Sequence, residues 1–117
     1  MPDDGRRPVE TAEIRRLRRR IDALDRKLVA LLNERAELAR EAGRAKADAG
    51  RMAVRDADRE REVLLRVSIA NDGPMPQADL LAMYRRLFAA TRALESRDRQ
   101  RERERARARE DRGDEPT

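Results

Sequence analysis

The sequence predicts an all-α fold, in which a three-helix protomer with one very long N-terminal helix pairs with a second copy. Apolar residues recur at three- and four-residue steps over most of the chain, as they do on one face of an amphipathic helix. Charged residues make up 45% of the chain and aromatic residues 2%, so the apolar stripes lie on otherwise solvated helices. A domain of 117 residues buries only part of its apolar surface, and self-association is expected to bury the rest.

The first predicted helix begins near Thr11, a favoured N-cap residue, and ends around Ala49 and Gly50, where glycine supplies a stop. Its heptad steps of four and three residues run through Ile14, Leu17, Ile21, Leu24, Leu28, Leu31, Arg35, Leu38, Ala42 and Ala45. At about 1.5 Å per residue this helix is roughly 50 Å long. Because that length exceeds the diameter of a globule of this size, the helix needs a partner along its whole length.

Two further helices are predicted. Asp56 is a favoured N-cap residue for the second, and the turn signal Asn71-Asp72-Gly73-Pro74 ends it. Pro76 is expected in the first turn of the third helix. The inward faces are predicted to be Asp56, Arg59, Glu60, Val63, Leu64 and Val67 on the second helix, and Leu80, Tyr84, Leu87, Phe88, Thr91, Leu94 and Glu95 on the third.

This layout divides the chain into a flexible N-terminus at residues 1–10, a helical domain at residues 11–96 and a charged tail at residues 97–117. The tail has many close Glu–Arg pairs and no apolar stripe, so we expect it to extend the third helix as a solvated rod and then fray. A solubilising tail without a specific role is the simpler interpretation. A contact arm for an acidic partner is the alternative.

Cysteine and histidine are both absent, which excludes disulfides, thiolate nucleophiles, imidazole bases and the usual zinc sites. We therefore expect no metal and no cofactor, and any catalysis must rest on charge, hydrogen bonds and shape. No stretch approaches the roughly 18 consecutive apolar residues of a membrane span, so a cytoplasmic protein is expected. The net charge of +5 permits nucleic-acid binding, but interleaved acidic residues and scarce aromatic residues argue against it.

Charged residues on apolar faces are the candidates for function, because an unpaired buried charge is costly. Arg35 occupies a heptad core position, where it either fixes the helix register or binds an anion, and Arg18 lies beside the same stripe. Lys46 is one of two lysines in an arginine-rich chain, which indicates either a point charge aimed at one atom or chance retention. Thr91 and Glu95 continue the apolar face of the third helix, which either forms a site or emerges into water.

The spacing of the two arginines bears on the dimer. Arg18 and Arg35 are seventeen residues apart on one helix, or about 25 Å along its axis, so they cannot hold one small molecule from the same chain. In an antiparallel pairing of two first helices, Arg18 of one chain approaches Arg35 of the other. Such a pairing gives two equivalent sites per symmetric dimer.

Three segments in this order carry a resemblance to a known family: IRRLRRRIDALDRKLVALLNERAELAREAGRAKADAG, VRDADREREVL and YRRLFAATRALE. The ID-x-LD-x-x-L-x-x-LL-x-x-R run, the G-x-x-K step and V-R-D-x-D-R-E resemble the all-helical (AroQ-class) chorismate mutases over residues 14–95. The resemblance implies an intertwined dimer that converts chorismate to prephenate by a concerted Claisen rearrangement, in aromatic amino acid or related shikimate-derived biosynthesis. That reaction needs no nucleophile, metal or general base, which fits a chain without Cys or His.

By the same resemblance, Arg35 and, from the other chain, Arg18 look like the clamps for the two carboxylates of the substrate. Lys46 looks like the cation that faces the breaking ether oxygen. The implied work of the site is to hold a flexible dicarboxylate in its reactive shape and to stabilise charge on that oxygen.

Asp56 and Glu60 match the family positions that hold the ring hydroxyl, and Arg59 lies between them as a supporting charge. Thr91 stands where the family often has serine, which keeps a hydroxyl, and Glu95 stands where a glutamine usually donates to the ether oxygen. Because a carboxylate cannot donate, Glu95 has to be protonated to take that role. We expect desolvation to raise its pKa and the neighbouring lysine to pull the pKa back down.

Alternatives remain on the same scaffold. Rearrangement of 4-amino-4-deoxychorismate and elimination of pyruvate from isochorismate would share the arginine clamps, although V-R-D-x-D-R-E favours a hydroxylated ring. A non-catalytic helical interaction module, in which Arg35 sets the register, is an alternative of a different class.

The loop from Asp48 to Ala53 is one residue longer than is usual in the family and lacks the common proline before Val54.

Overall fold

The computed structural model describes residues 9–50 and 55–113. Within these ranges it contains three helices and no strand: α1 (Ala12–Asp48), α2 (Ala57–Ala70) and α3 (Gln77–Asp111). The predicted all-α fold with a very long first helix is confirmed. The chain divides into two units, one ending at Ala36 and the other beginning at Glu37, so that α1 contributes residues to both.

The predicted helix ends are confirmed by their hydrogen bonds and backbone angles. The backbone N–H of Ile14 donates to Oγ1 of Thr11 over 3.1 Å, which makes Thr11 the N-cap of α1. Gly50 follows the last turn of α1 with φ at +81°, a left-handed conformation that favours glycine. The N-cap of α2 is Asp56, whose side chain accepts from the backbone N–H of Arg59 over 3.0 Å.

Pro76 lies one position earlier than predicted. It is the N-cap residue of α3 and not part of the first turn, because its ψ of 132° is extended and the helix begins at Gln77. The side-chain amide of Asn71 closes the preceding turn by donating to the carbonyl of Met75 over 3.1 Å and to Oε1 of Gln77 over 2.8 Å. The turn signal after α2 is thereby confirmed.

In the second unit the core lies between α2 and α3. Phe88 is 6% exposed, and among the described residues it alone is buried. The Tyr84 ring meets it edge to face, with ring centroids 6.3 Å apart at an interplanar angle of 69°. Both predicted inward faces are half-buried or buried, except for Arg59, which is exposed.

In the first unit the apolar stripe of α1 is exposed in the single chain. Its side chains are 41% to 60% exposed, and they comprise Ile14, Leu17, Ile21, Leu24, Leu28 and Leu31. A stripe of this kind is typical of a helix that binds a partner. The homodimer itself stays a prediction.

The tail predicted to start at residue 97 continues α3 without a break as far as Asp111. Of the predicted flexible N-terminus, residues 1–8 lie outside the described residues, as do residues 51–54 of the loop that was expected to be long. Within the described part of the chain no helix is long and apolar enough to cross a membrane. The cytoplasmic location stays a prediction.

Candidate active site

The last turn of α1 and the start of α2 bring two predicted site residues together. Nζ of Lys46 lies 3.8 Å from Oδ2 of Asp56, and the two side chains are 27% and 30% exposed. Because Oδ1 of the same carboxylate caps α2, Asp56 is held by its own helix while its second oxygen faces the lysine. The sequence had indicated both the capping role and a place in the site for Asp56, and the capping role is confirmed.

Glu60, one turn further along α2, is paired with α3. Its Oε2 accepts from Nη1 of Arg92 over 2.6 Å, and the Glu60 side chain is only 18% exposed. Arg55 reaches the other oxygen of Glu60 at 4.0 Å from a largely exposed position. Arg59 is 55% exposed, and in the single chain it pairs with Glu62 at 3.2 Å.

Thr91 is half-buried on α3, and its hydroxyl donates to the backbone carbonyl of Leu87 over 2.9 Å. That hydrogen bond uses its one proton, while the oxygen keeps lone pairs with which it can still accept. The Thr91 hydroxyl can therefore still accept a hydrogen bond.

Glu95 lies one turn after Thr91 and is also half-buried. It packs against Gly43 of α1 so closely that a Cβ atom at Gly43 would come within 3.3 Å of its Cγ and Cδ. Desolvation by burial raises the pKa of the Glu95 carboxyl above its ordinary value, and the charges of Lys46 and Arg99 lower it. The direction expected from the sequence, a raised pKa opposed by Lys46, is confirmed.

A second polar contact joins α1 and α3 beside Glu95. The guanidinium of Arg40 binds both carboxylate oxygens of Asp98, with Nε and Nη2 each 2.9 Å from its partner oxygen. The charge-assisted bonds hold the pKa of Asp98 below its usual range. Glu37 also accepts from Arg40, over 2.8 Å, from an exposed position.

The two predicted carboxylate clamps lie in the first unit. Arg18 is 66% exposed and forms an ion pair with Glu10. Arg35 is half-buried at its heptad position. The contacts described above around Lys46 all lie within the second unit, and the contribution of the two arginines stays a prediction.

Sequence reasoning did not identify Arg40, Arg92 or Asp98 as part of this region. The signals were present but weak. Arg92 is four residues after Phe88, and Asp98 is three residues after Glu95, so both continue the inward face of α3. In a chain with 29 Lys and Arg residues, spacing alone does not separate such a residue from a solvated one.

The described residues define a small all-helical protein with a half-buried cluster of one ammonium, several carboxylates and a hydroxyl. Within residues 9–50 and 55–113, no group of His, Cys, Asp or Glu residues is placed to hold a metal ion. The chain belongs to the chorismate mutase type II family, whose model matches residues 17–96, more than half of its length. The resemblance found in the sequence is thereby confirmed.

Curated proteins that are similar to this chain are named for chorismate mutase activity. A bifunctional chorismate mutase/prephenate dehydratase of Aquifex aeolicus is 35% identical over 89 residues, which are 73% of this chain and 24% of that protein. The protein of the same name from Escherichia coli K12 is 59% identical over 51 residues, 44% of this chain and 13% of its own length. The chain thus spans a minor part of the curated relatives that it matches.

Solved structures match over nearly their whole length. Form II of the chorismate mutase from Thermus thermophilus has a TM-score of 0.69 and 33% identity, and the match covers 73% of this chain and 96% of that one. Form I of the Thermus thermophilus protein has a TM-score of 0.64 and 32% identity, with 68% and 98% covered. These structures are comparable in extent to the matched region of this chain.

Proposed function

We propose that this chain is a chorismate mutase, which converts chorismate to prephenate. The observation that carries the proposal is the cluster in which Lys46 of α1 lies 3.8 Å from Asp56 of α2 and acts on the pKa of Glu95 of α3. Three helices thus supply a cation, a hydrogen-bond acceptor and a carboxyl that holds its proton to higher pH. Family membership over residues 17–96 supports the same activity.

The proposed reaction is an isomerisation in which one ether C–O bond breaks as one C–C bond forms. No proton, electron or group is exchanged with the protein, so the site has to bind, orient and stabilise charge. Negative charge develops on the ether oxygen as its bond to carbon breaks. We assign Lys46 and the protonated Glu95 to that oxygen, Lys46 as a cation and Glu95 as a hydrogen-bond donor.

The remaining assignments concern binding. We propose that Asp56 and Glu60 hold the ring hydroxyl and that Thr91 accepts a hydrogen bond from the bound molecule. Arg59 is a supporting charge between Asp56 and Glu60, in a more exposed position than either of them. The Arg92 guanidinium beside Glu60 fixes the direction of that carboxylate, which favours its use as an acceptor.

We further propose a homodimer in which Arg35 and Arg18 of the partner subunit clamp the two carboxylates of the substrate. Support comes from the exposed apolar stripe of α1 and from the distance of about 25 Å between the two arginines of one chain. The test mixes Arg18→Ala chains with Arg35→Ala chains. If each variant alone is inactive, mixed dimers should recover activity, because one of their two sites keeps both arginines. No recovery despite confirmed subunit exchange would exclude the shared site.

The activity itself is tested by following the loss of chorismate absorbance and the formation of prephenate with the purified protein. Parallel assays with 4-amino-4-deoxychorismate and isochorismate distinguish the sister activities, the second through release of pyruvate. Turnover of chorismate well above that of the other two compounds is expected. A protein that turns over none of the three would instead be the non-catalytic helical module.

A further inference from the structure

The Arg40–Asp98 ion pair is a bidentate polar contact between two helices of the second unit. Both bonds are 2.9 Å long in a bidentate geometry, and the side chains are 28% and 17% exposed. Such a pair fixes the relative direction of its two side chains as well as their distance. Asp98 lies just beyond the last residue that the family model matches, so the pair uses a part of α3 that the family match does not include.

The pair is adjacent to the contact between Glu95 and Gly43. On α3, Asp98 follows Glu95 by three residues, and on α1, Arg40 precedes Gly43 by three residues, so in each helix the two positions share a face. Arg40, Gly43, Glu95 and Asp98 line the same small cavity. The Glu95–Gly43 contact includes the carboxyl of the proposed site. The neighbouring Arg40–Asp98 contact holds the two helices together.

We propose that Arg40 and Asp98 form a positioning pair, which holds the Glu95 carboxyl against Gly43 and shields it from the negative charge of Asp98. The role of the pair in catalysis rests on the proposed function. Its effect on Glu95 does not, because the protonation of Glu95 can be measured without substrate.

Several charges face Glu95 from the two helices packed around it. Lys46 on α1 and Arg99 on α3 lower the pKa of Glu95, while Asp98 raises it. Arg44 and Glu102 line the same cavity. Because Arg40 holds the pKa of Asp98 below its usual range, Asp98 is already ionised when Glu95 titrates, and the two carboxyls do not compete for one proton.

The two members of the pair therefore have opposite effects on Glu95, which makes the test specific. Asp98→Asn removes a negative charge and releases the Arg40 guanidinium, so the pKa of Glu95 should fall by about half a unit or more. Arg40→Gln leaves the Asp98 carboxylate without its main counter-charge, so the pKa of Glu95 should rise by a similar amount. A merely structural pair would shift both variants in the same direction or in neither.

The experiment titrates Glu95 in the full-length protein by carboxyl-carbon NMR and records the pH profile of kcat on the same samples. Glu37→Gln is the matched control, because it removes the exposed partner of Arg40 and leaves Asp98 in place. It should move neither the pKa nor the profile. In the two test variants the alkaline limb of the profile should follow the NMR pKa, to lower pH in Asp98→Asn and to higher pH in Arg40→Gln.

If Arg40→Gln does not fold, Arg40→Lys replaces it, since it keeps the charge and loses the bidentate geometry. In that variant kcat should fall with little change in KM, while the Glu95 pKa stays near its original value. Shifts of equal sign in Asp98→Asn and Arg40→Gln, or no shift in either, would overturn the proposal. Opposite NMR shifts in a protein without mutase activity would uphold the pair and refute the proposed function.

Discussion

The described residues of the two units differ in a leucine stripe that the first unit leaves exposed and in carboxylates that the second unit covers. In the first unit Leu24 and Leu28 are 57% and 55% exposed, whereas in the second the carboxylate side chains of Glu60 and Asp98 are 18% and 17% exposed. In water, leucine side chains are usually covered and carboxylates usually exposed, so both observations are the reverse of the usual arrangement. In the second unit, arginines of the same chain pair with these covered carboxylates. The described residues of the first unit leave these two leucines more than half exposed in the single chain.

Loss of the first unit's apolar stripe should have the largest effect. Leu24→Lys combined with Leu28→Lys places two charges on the stripe, where burial of each leucine is worth about 1.5 to 3 kcal/mol. We expect a dimer to dissociate, because about 3 kcal/mol of lost association energy lowers the association constant by about a hundredfold. Mutase activity should fall with the dimer, because each proposed site needs Arg18 of the partner subunit. Analytical ultracentrifugation and the chorismate assay measure the two effects.

The control for this variant is Leu65→Lys, which changes a leucine of α2 that is 62% exposed. It should keep the association state and the activity of the unchanged protein. A Leu24→Lys/Leu28→Lys protein that stays dimeric and active would show that the exposed stripe is not the interface.

The second unit's charge cluster should be most sensitive at Lys46. Lys46→Ala removes the cation assigned to the ether oxygen and should lower kcat at least about a hundredfold, on the order of 3 kcal/mol. Lys46→Arg should also lower turnover more than stability, because a planar guanidinium does not replace a point charge. Lys27→Ala, which removes the other lysine of the chain from an exposed position, serves as the control. Wild-type turnover in Lys46→Arg would remove Lys46 from the proposed role.

A smaller and pH-dependent effect is expected at Glu95. Because burial raises its pKa, the donating protonated form persists to higher pH than in an exposed glutamate, and it is lost as the pH rises through that pKa. The rate should then fall by about tenfold for each further pH unit. Glu95→Gln donates at any pH and should flatten the alkaline limb.

The pH profile of kcat from about pH 5 to 9 measures this difference, with the exposed Glu104→Gln on the same helix as the control. A wild-type profile that is flat over this range and unchanged in Glu95→Gln would show that Glu95 is not the donor.

The smallest effect should distinguish covered from exposed ion pairs. Arg92→Met leaves Glu60 without its partner at 2.6 Å and should lower the free energy of unfolding by about 1 kcal/mol. Arg61→Met breaks a pair with Asp58 whose side chains are 70% and 91% exposed, and its effect should stay below about 0.5 kcal/mol. Urea denaturation monitored by circular dichroism compares the two. Equal losses of unfolding free energy would mean that the partial burial of the Glu60–Arg92 pair adds nothing to its stabilising effect.

The helices were predictable because their signals are local. Thr11, Asp56 and Gly50 act within one turn of their own position, so the chain alone determined where α1 and α2 begin and where α1 ends. Pro76 was misplaced by one residue because proline is compatible both with a first helical turn and with the extended position before it.

The contacts between helices were only partly predictable. Family motifs pointed to Lys46 and Glu95, whose roles are still proposals. Arg40 and Asp98 are 58 residues apart in sequence, and no pattern distinguishes this arginine from its many exposed neighbours. What decides the pairing is how α1 and α3 pack against each other, which the local sequence of neither residue shows.

At Gly43 the stability of α1 and the geometry of the site favour different residues. A glycine inside a helix is about 1 kcal/mol less favourable than alanine, so a search for stabilising substitutions would select Gly43→Ala. The added methyl group would lie 3.3 Å from Cγ and Cδ of Glu95, closer than carbon atoms normally pack, and the carboxyl would have to move by a few tenths of an ångström. Selection for thermal stability at this position would therefore favour a more stable α1 and a displaced Glu95 carboxyl. Gly43, although it is a poor helix former, preserves the geometry around Glu95.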